Sequence, residues 1–190
     1  MERDTRPRSP AGRSPHDSAD GHALLVRLER ESTPQQVQLL RYWLSLRGGD
    51  GLPDYRRFDP LDIPQLLGDL AVVDVERPAM RFRFRLHGTR VAAIRGKDLT
   101  GMYIGDPGVF PADLNQIYLD SYRRVAASCE PAFNIVPYEL QRRSVGNYHR
   151  LLLPFTDSAL GTGGACDRIV LSFQSLPLRD DGDAFDGSSA

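Results

Sequence analysis

Apolar side chains along this chain follow two different periods, and the switches between them divide it into elements. Thr33 suits a helix N-cap and Pro34 a first turn, and from there Val37, Leu40, Trp43 and Leu44 share one helical face that runs to a stop at Gly48-Gly49. Leu39 and Leu46 widen that stripe beyond what a helix lying singly on a surface needs. The helix is therefore expected to pack on a sheet, with Leu39, Leu40, Trp43 and Leu46 also offered to a second subunit. Asp59-Pro60 opens a second, short helix that Pro64 limits, with Leu61, Ile63, Leu66 and Leu67 turned inward. The period then changes to two. Residues 70–75 form a β-branched apolar run, and residues 81–87 alternate strictly: Phe82, Phe84 and Leu86 on one face, Arg81, Arg83, Arg85 and His87 on the other. The pattern predicts two antiparallel strands joined across Arg77-Pro78-Ala79-Met80.

Gly88-Thr89 ends the second strand, and Val91, Ala92 and Ile94 make one or two helical turns before Gly96. A longer helix starts at about Pro111, where Leu114, Ile117, Tyr118, Ser121, Tyr122 and Val125 recur at helical spacing, and Pro131 marks the next change. Three strand candidates follow, 132–141, 147–155 and 168–176, with turns at Ser144-Val145-Gly146 and in the glycine-rich stretch 161–164. That stretch lacks the Lys-Ser/Thr and the following helix of a phosphate loop, so it reads as a hairpin connection. Residues 5–21 carry no large apolar side chain and cannot recover the entropy of ordering. The chain accordingly divides into a mostly disordered tail at 1–32, one domain at 33–178 and an acidic disordered tail at 179–190.

Composition narrows the function classes. With 190 residues, 41% of them hydrophobic, one domain can build a core without disulfides or metal. A formal net charge of -1 gives no general attraction to nucleic acid or anionic lipid. The N-terminus has no signal-peptide apolar core, and no apolar run approaches the roughly 20 residues that span a bilayer. Cys129 and Cys166 are too few for a disulfide scaffold or zinc cluster, which suits a reducing cytoplasm. Catalysis has no foothold: there is no nucleophile elbow, no paired carboxylates in an apolar setting and no metal-binding spacing.

The order of four motifs is more specific. Trp43-Leu44-Ser45-Leu46-Arg47-Gly48-Gly49, Asp59-Pro60-Leu61-Asp62-Ile63-Pro64, the strand and turn at 81–89, and Gly96-Lys97-Asp98-Leu99-Thr100-Gly101 together resemble the bacterial single-domain PAS family, found mainly in proteobacteria. The resemblance covers about residues 38 to 173. It implies an α+β fold: a five-stranded antiparallel sheet with helices on one face, and the leading amphipathic helix packing on the other face or at a dimer interface. Under that helix the arginine stems of the second strand can pack while their guanidinium groups reach acidic partners at its rim. The resemblance also implies a stand-alone sensing or interaction module without chemistry of its own. PAS domains often dimerise through such helices, so a homodimer and an unidentified signalling protein are the expected partners.

A PAS pocket lies between the inner sheet face and the short helices. The candidates to line it are Arg85 and Thr89 from strand and turn, Asp98 and Thr100 from the corner, Tyr118 and Tyr122 from the long helix, and Tyr148 and His149 from the fourth strand. Each has a plainer role available. The tyrosines also suit a core with hydroxyls reaching the surface, and Asp98 or Thr100 also suits a turn cap, while Gly88, Gly96 and Gly101 allow positive φ or close backbone approach. His149 shares parity with Leu151, Leu153 and Phe155, an apolar face where an imidazole must find a partner. Haem sensors of the PAS class carry their axial histidine on the long helix, where none stands here, and the Asn-Cys-Arg-Phe-Leu-Gln-type flavin motif is absent. No cofactor is assigned, and the pocket is left open to an unidentified small molecule. Two readings follow, a small-molecule sensor and a ligand-free scaffold or dimerisation module, with a haem or flavin sensor third. They differ in whether the core keeps a pocket lined by Tyr118, Tyr122, Arg85 and His149.

Overall fold

The computed structural model of the protein describes residues 17–49, 51–140 and 143–177. Helix α1 (Asp17–Glu31) rises inside the stretch expected as a tail. Leu28 is fully buried and Leu24 and Leu25 pack partly beside it, so a short apolar face at i, i+4 spacing suffices once a second helix is there to receive it. Helix α2 (Pro34–Leu46) starts as its sequence predicts: the Thr33 hydroxyl accepts from the Gln36 backbone N–H at 3.3 Å, and Pro34 occupies the first turn. Most of the expected short helix is a series of 3-10 turns, at Tyr55–Arg57, Pro60–Asp62 and Pro64–Asp69. Ile63 and Leu66 are buried as expected, but Leu61 and Leu67 face solvent, because the tighter three-residue period turns them away from the core.

Strand β1 (Leu70–Glu76) pairs antiparallel with β2 (Arg81–His87), which leads through Gly88 into α3 (Thr89–Arg95) and then α4 (Ala112–Ser128). Strands β3 (Ala132–Leu140), β4 (Arg143–Phe155) and β5 (Arg168–Pro177) complete one antiparallel sheet in the order β2-β1-β5-β4-β3. Pairing of Leu140 with Arg143 places the β3–β4 connection earlier than expected, and Ser144, Val145 and Gly146 belong to β4. The acidic tail expected at 179–190 lies outside the described residues.

Because side chains alternate across a strand, the sheet separates two cores. On one face Leu39, Leu40 and Trp43 of α2 meet Leu151, Leu153, Phe155 and Val170; on the other Tyr122 and Val125 of α4 meet Phe82, Phe84, Leu152, Ile169 and Leu171. Two polar anchors fix α2 on β4. The Trp43 indole N–H donates to the Pro154 carbonyl at 2.8 Å, and Gln36 Nε2 donates to the His149 carbonyl at 3.0 Å. Leu39, Leu40, Trp43 and Leu46, expected also at a subunit contact, are at most 9% exposed within the single chain. The breadth of the apolar stripe is consumed by the sheet and α1, which leaves these four side chains no surface for a partner.

A β-bulge changes the expected faces of β2. Val72 pairs with Leu86 but Val73 pairs with Phe84, so Arg85 is an extra residue and the alternation slips by one. Leu86 is therefore turned outward, 47% exposed, and His87 is turned into the α4 core at 8%. The arginines of β2 find carboxylates chiefly on the neighbouring strand rather than at a helix rim: Arg85 Nε lies 2.7 Å from Asp74, and Arg83 reaches both Asp74 and Glu76.

Candidate functional site

Under α4 the sheet, α3 and the segment before α4 enclose a cavity of about 20 Å³, lined from β2 by Phe84 and His87, from α3 by Val91 and Arg95, from α4 by Tyr118 and Tyr122, and further by Leu99, Phe110, Arg150, Leu171 and Phe173. That volume holds about one water molecule. Its walls are aromatic, and its polar groups are few.

Arg150 is the chief of them. It stands on β4 with Leu152 parity, on the face opposite His149, and is 2% exposed. Its guanidinium carbon lies 4.1 Å from the centre of the Tyr118 ring and 5.5 Å from that of Tyr122. Nη1 makes no hydrogen bond, and among the described residues no carboxylate pairs with the group. Tyr122 is fully buried with its hydroxyl beside Arg150 but in no well-formed hydrogen bond. Burial pushes the Tyr122 pKa up, against the pull of the Arg150 charge.

His87 supplies a second polar edge. Burial lowers its pKa, with Asp98 opposing, so the ring is neutral at physiological pH. Its Nδ1 accepts a long bond of 3.4 Å from the Leu99 backbone N–H, which leaves the ring proton on Nε2. Phe110 closes the cavity on the outside, edge-on to Tyr118 at 4.5 Å, with the Arg95 guanidinium 4.6 Å above its ring. Arg95 is itself held by the Val109 carbonyl at 2.7 Å. Beyond Phe110 opens a groove of about 440 Å³ lined by Ile94, Arg95, Gly108, Val109, Phe110, Pro111 and Tyr148.

The expected site residues are thus distributed over three places. Tyr118 and Tyr122 line the cavity, and Tyr148 lines the groove with its ring 4.6 Å from Phe173. Arg85 and His149 lie on the other face of the sheet, Arg85 because it alternates with Phe84 and pairs with Asp74 beside Arg83, His149 because its parity points it at Phe133 and α2. Burial lowers the His149 pKa, opposed by the Glu31 backbone carbonyl. Thr89, Asp98 and Thr100 are exposed at the corner, where Asp98 accepts from the Thr100 N–H and hydroxyl at 2.9 and 2.8 Å and so builds the turn. Arg150 was legible only as a charge at an alternate position in an otherwise apolar strand flanked by Leu151, Leu152 and Leu153. His87 required knowing the bulge.

The other chemical groups have structural surroundings. Cys166 is buried, its pKa pushed up to about 12 by burial, so its sulfur stays a thiol. Cys129 sits at the C-cap of α4 in left-handed conformation. Among the described residues no three His, Cys, Asp or Glu side chains converge to hold a metal. A haem or flavin does not fit a cavity of about 20 Å³ filled by Phe84, Phe110, Tyr118, Tyr122 and Phe173.

A five-stranded antiparallel sheet of this order, with short helices and one long helix cradling a pocket on one face, defines the PAS class, typical of sensory and signalling modules. The chain belongs to the PAS-domain family, whose profile matches residues 31–163. No curated protein matches it in sequence. Among solved structures it is similar to the PAS domain of Bordetella pertussis BvgS, at 22% identity and a TM-score of 0.47, covering 64% of this chain and 90% of that one. It is similar also to the PAS domain of histidine kinase ThkA, at 13% identity and a TM-score of 0.40, covering 56% of this chain and 96% of that one. The Rhodobacter sphaeroides LOV protein matches at 15% identity and a TM-score of 0.41, over 66% of this chain and 71% of that one. Among the described residues no helix is long and apolar enough to cross a membrane.

Proposed function

We propose that the chain is a non-catalytic sensory module, working in the cytoplasm, that takes a small molecule into the cavity under α4 and passes its occupancy on through altered contacts with a signalling protein. The observation that supports this most is Arg150. A permanently charged guanidinium, buried and with no carboxylate beside it among the described residues, costs several kcal/mol in a core whose sole purpose is stability. Tyr122 and His87 bring two further hydrogen-bonding groups to the same space. Partners, a second copy of the chain included, meet surfaces other than Leu39, Leu40, Trp43 and Leu46, which the sheet and α1 cover.

The ligand-free scaffold remains the second reading, and one observation favours it: the cavity itself is only about 20 Å³. Native mass spectrometry of the purified protein, run beside a denatured sample, separates the two. A small molecule released on denaturation supports the sensor. An unmodified mass in both, together with no stabilisation by any member of a metabolite panel, overturns it in favour of the scaffold.

A further inference from the structure

Resting on that reading, we propose that the ligand is a small organic monocarboxylate, its head group against Arg150 and its apolar body passing Phe110 into the outer groove. The charge argument comes first. Arg150 is 98% removed from solvent, its Nη1 is unpaired, and no acidic side chain among the described residues lines the cavity. Arginine does not shed its proton to relieve burial, so among the described residues this charge has no counter-anion. A guanidinium fork matches a carboxylate in plane and in charge, and the Tyr122 hydroxyl beside it offers the second donor that a carboxylate oxygen accepts.

Number and nature of the walls select among anions. Two guanidinium groups line the cavity, but Arg95 is half-buried and held by the Val109 carbonyl and the Phe110 ring, so Arg150 is the one fully buried charge there and calls for one negative charge. A phosphate brings nearly two and needs further donors, and neither lysine nor a glycine-rich cradle stands at the cavity. The remaining lining is aromatic and aliphatic, which suits an aryl or alkyl body rather than a polyhydroxylated one.

Phe110 sets how such a ligand is held. It belongs to both spaces, the cavity of about 20 Å³ and the groove of about 440 Å³. Its ring is half-buried and rests on Tyr118 and Arg95, in the short segment before α4 where Gly108 takes a φ of 78°. A swing of this one ring joins the two volumes, so that a carboxylate reaches Arg150 while the body lies along Ile94, Val109 and Pro111. Occupancy then moves Phe110 and the start of α4, which is the change a partner reads.

The test is isothermal titration of the full chain with benzoate and hexanoate, each against its neutral amide, and with inorganic phosphate. We expect the carboxylates to bind at least about tenfold more tightly than the amides, the usual margin for a hydrogen bond to a buried charge. Arg150→Met removes the charge at similar length and is expected to erase that preference while raising the thermal midpoint. Phe110→Ala, which leaves Arg150 in place, is expected to strengthen carboxylate binding and to admit larger acids such as 2-naphthoate, so the proposal remains testable if the Arg150 variant does not fold. Equal binding of acid and amide overturns the carboxylate assignment and leaves the sensor standing. Preference for phosphate, or a carboxylate preference that survives Arg150→Met, also overturns it. Failure of every probe, with an empty native mass, overturns this inference and the sensor together.

Discussion

His87 and His149 lie on opposite faces of one sheet, yet burial lowers the pKa of both. In the unfolded chain each imidazole takes up a proton near pH 6.5, whereas the folded rings resist it. Below that value the unfolded state binds more protons, so stability falls as pH drops through 6.5 toward the folded pKa values; well above it both states are neutral and the slope vanishes. Each histidine contributes at most about 1.4 kcal/mol per pH unit within that window. Urea midpoints measured near pH 7.5 and near pH 5 are expected to show the drop, and the double variant His87→Gln/His149→Gln to lose most of it. An undiminished drop in the double variant would assign the acid sensitivity to carboxylates instead. Asp98, whose pKa is lowered first by the Thr100 N–H, gives up its contribution only in the more acidic range below the usual carboxylate pKa, so it does not blur this measurement.

At the scale of elements, two junctions decide how the helices meet the sheet. Gly88 joins β2 to α3 at an ordinary φ of -60°, so its requirement is space: an added Cβ would stand 2.4 Å from the Gly68 carbonyl oxygen and 2.5 Å from that of Leu70. Gly88→Ala is expected to cost about 2–3 kcal/mol by forcing these backbones apart. Gly48→Ala, where nothing lies within 4 Å, serves as the control and should stay within about 0.5 kcal/mol. The second junction is α2 on β4. Trp43→Ala removes a side chain 1% exposed and its bond to Pro154, an expected loss of about 3–5 kcal/mol. Thermal midpoints recorded on dilute and concentrated samples should fall equally, since the side chain is used within one chain; a loss confined to concentrated samples would restore Trp43 to a subunit contact. Helix α2 was legible because cap, stripe and stop agree. The bulge at Arg85 was not, since Phe82, Arg83, Phe84, Arg85, Leu86 alternate without a break and only the pairing to Val72 and Val73 shows the slip. The site inherited both outcomes: Tyr118 and Tyr122 follow from helical spacing, whereas His87 and Arg150 depend on which way a strand turns its alternate side chains.

For the molecule as a whole, the sheet order and the two-sided burial follow from features that reinforce each other, the alternation in the strands, the helical stripes and the turn residues. What escaped was α1, because Leu24, Leu25 and Leu28 make too narrow a face to predict a helix without its partner α2. Whether α1 and α2 are an appendage or part of the folding unit now has a physical answer. Strands β4 and β5 are buried on both faces, Leu151 and Val170 toward α2, Leu152 and Leu171 toward α4, so neither core exists without the strands the other stabilises. Denaturation should accordingly be a single cooperative transition. Trp43 is the sole tryptophan, and its fluorescence reports the α2 face alone, while far-ultraviolet circular dichroism reports every element. The two probes should give the same urea midpoint, and Tyr122→Leu, on the far side of the sheet, should shift both equally. A fluorescence transition that precedes the dichroism would mean that the α1–α2 layer detaches from an intact sheet, and the shared strands would then not bind the two cores into one unit.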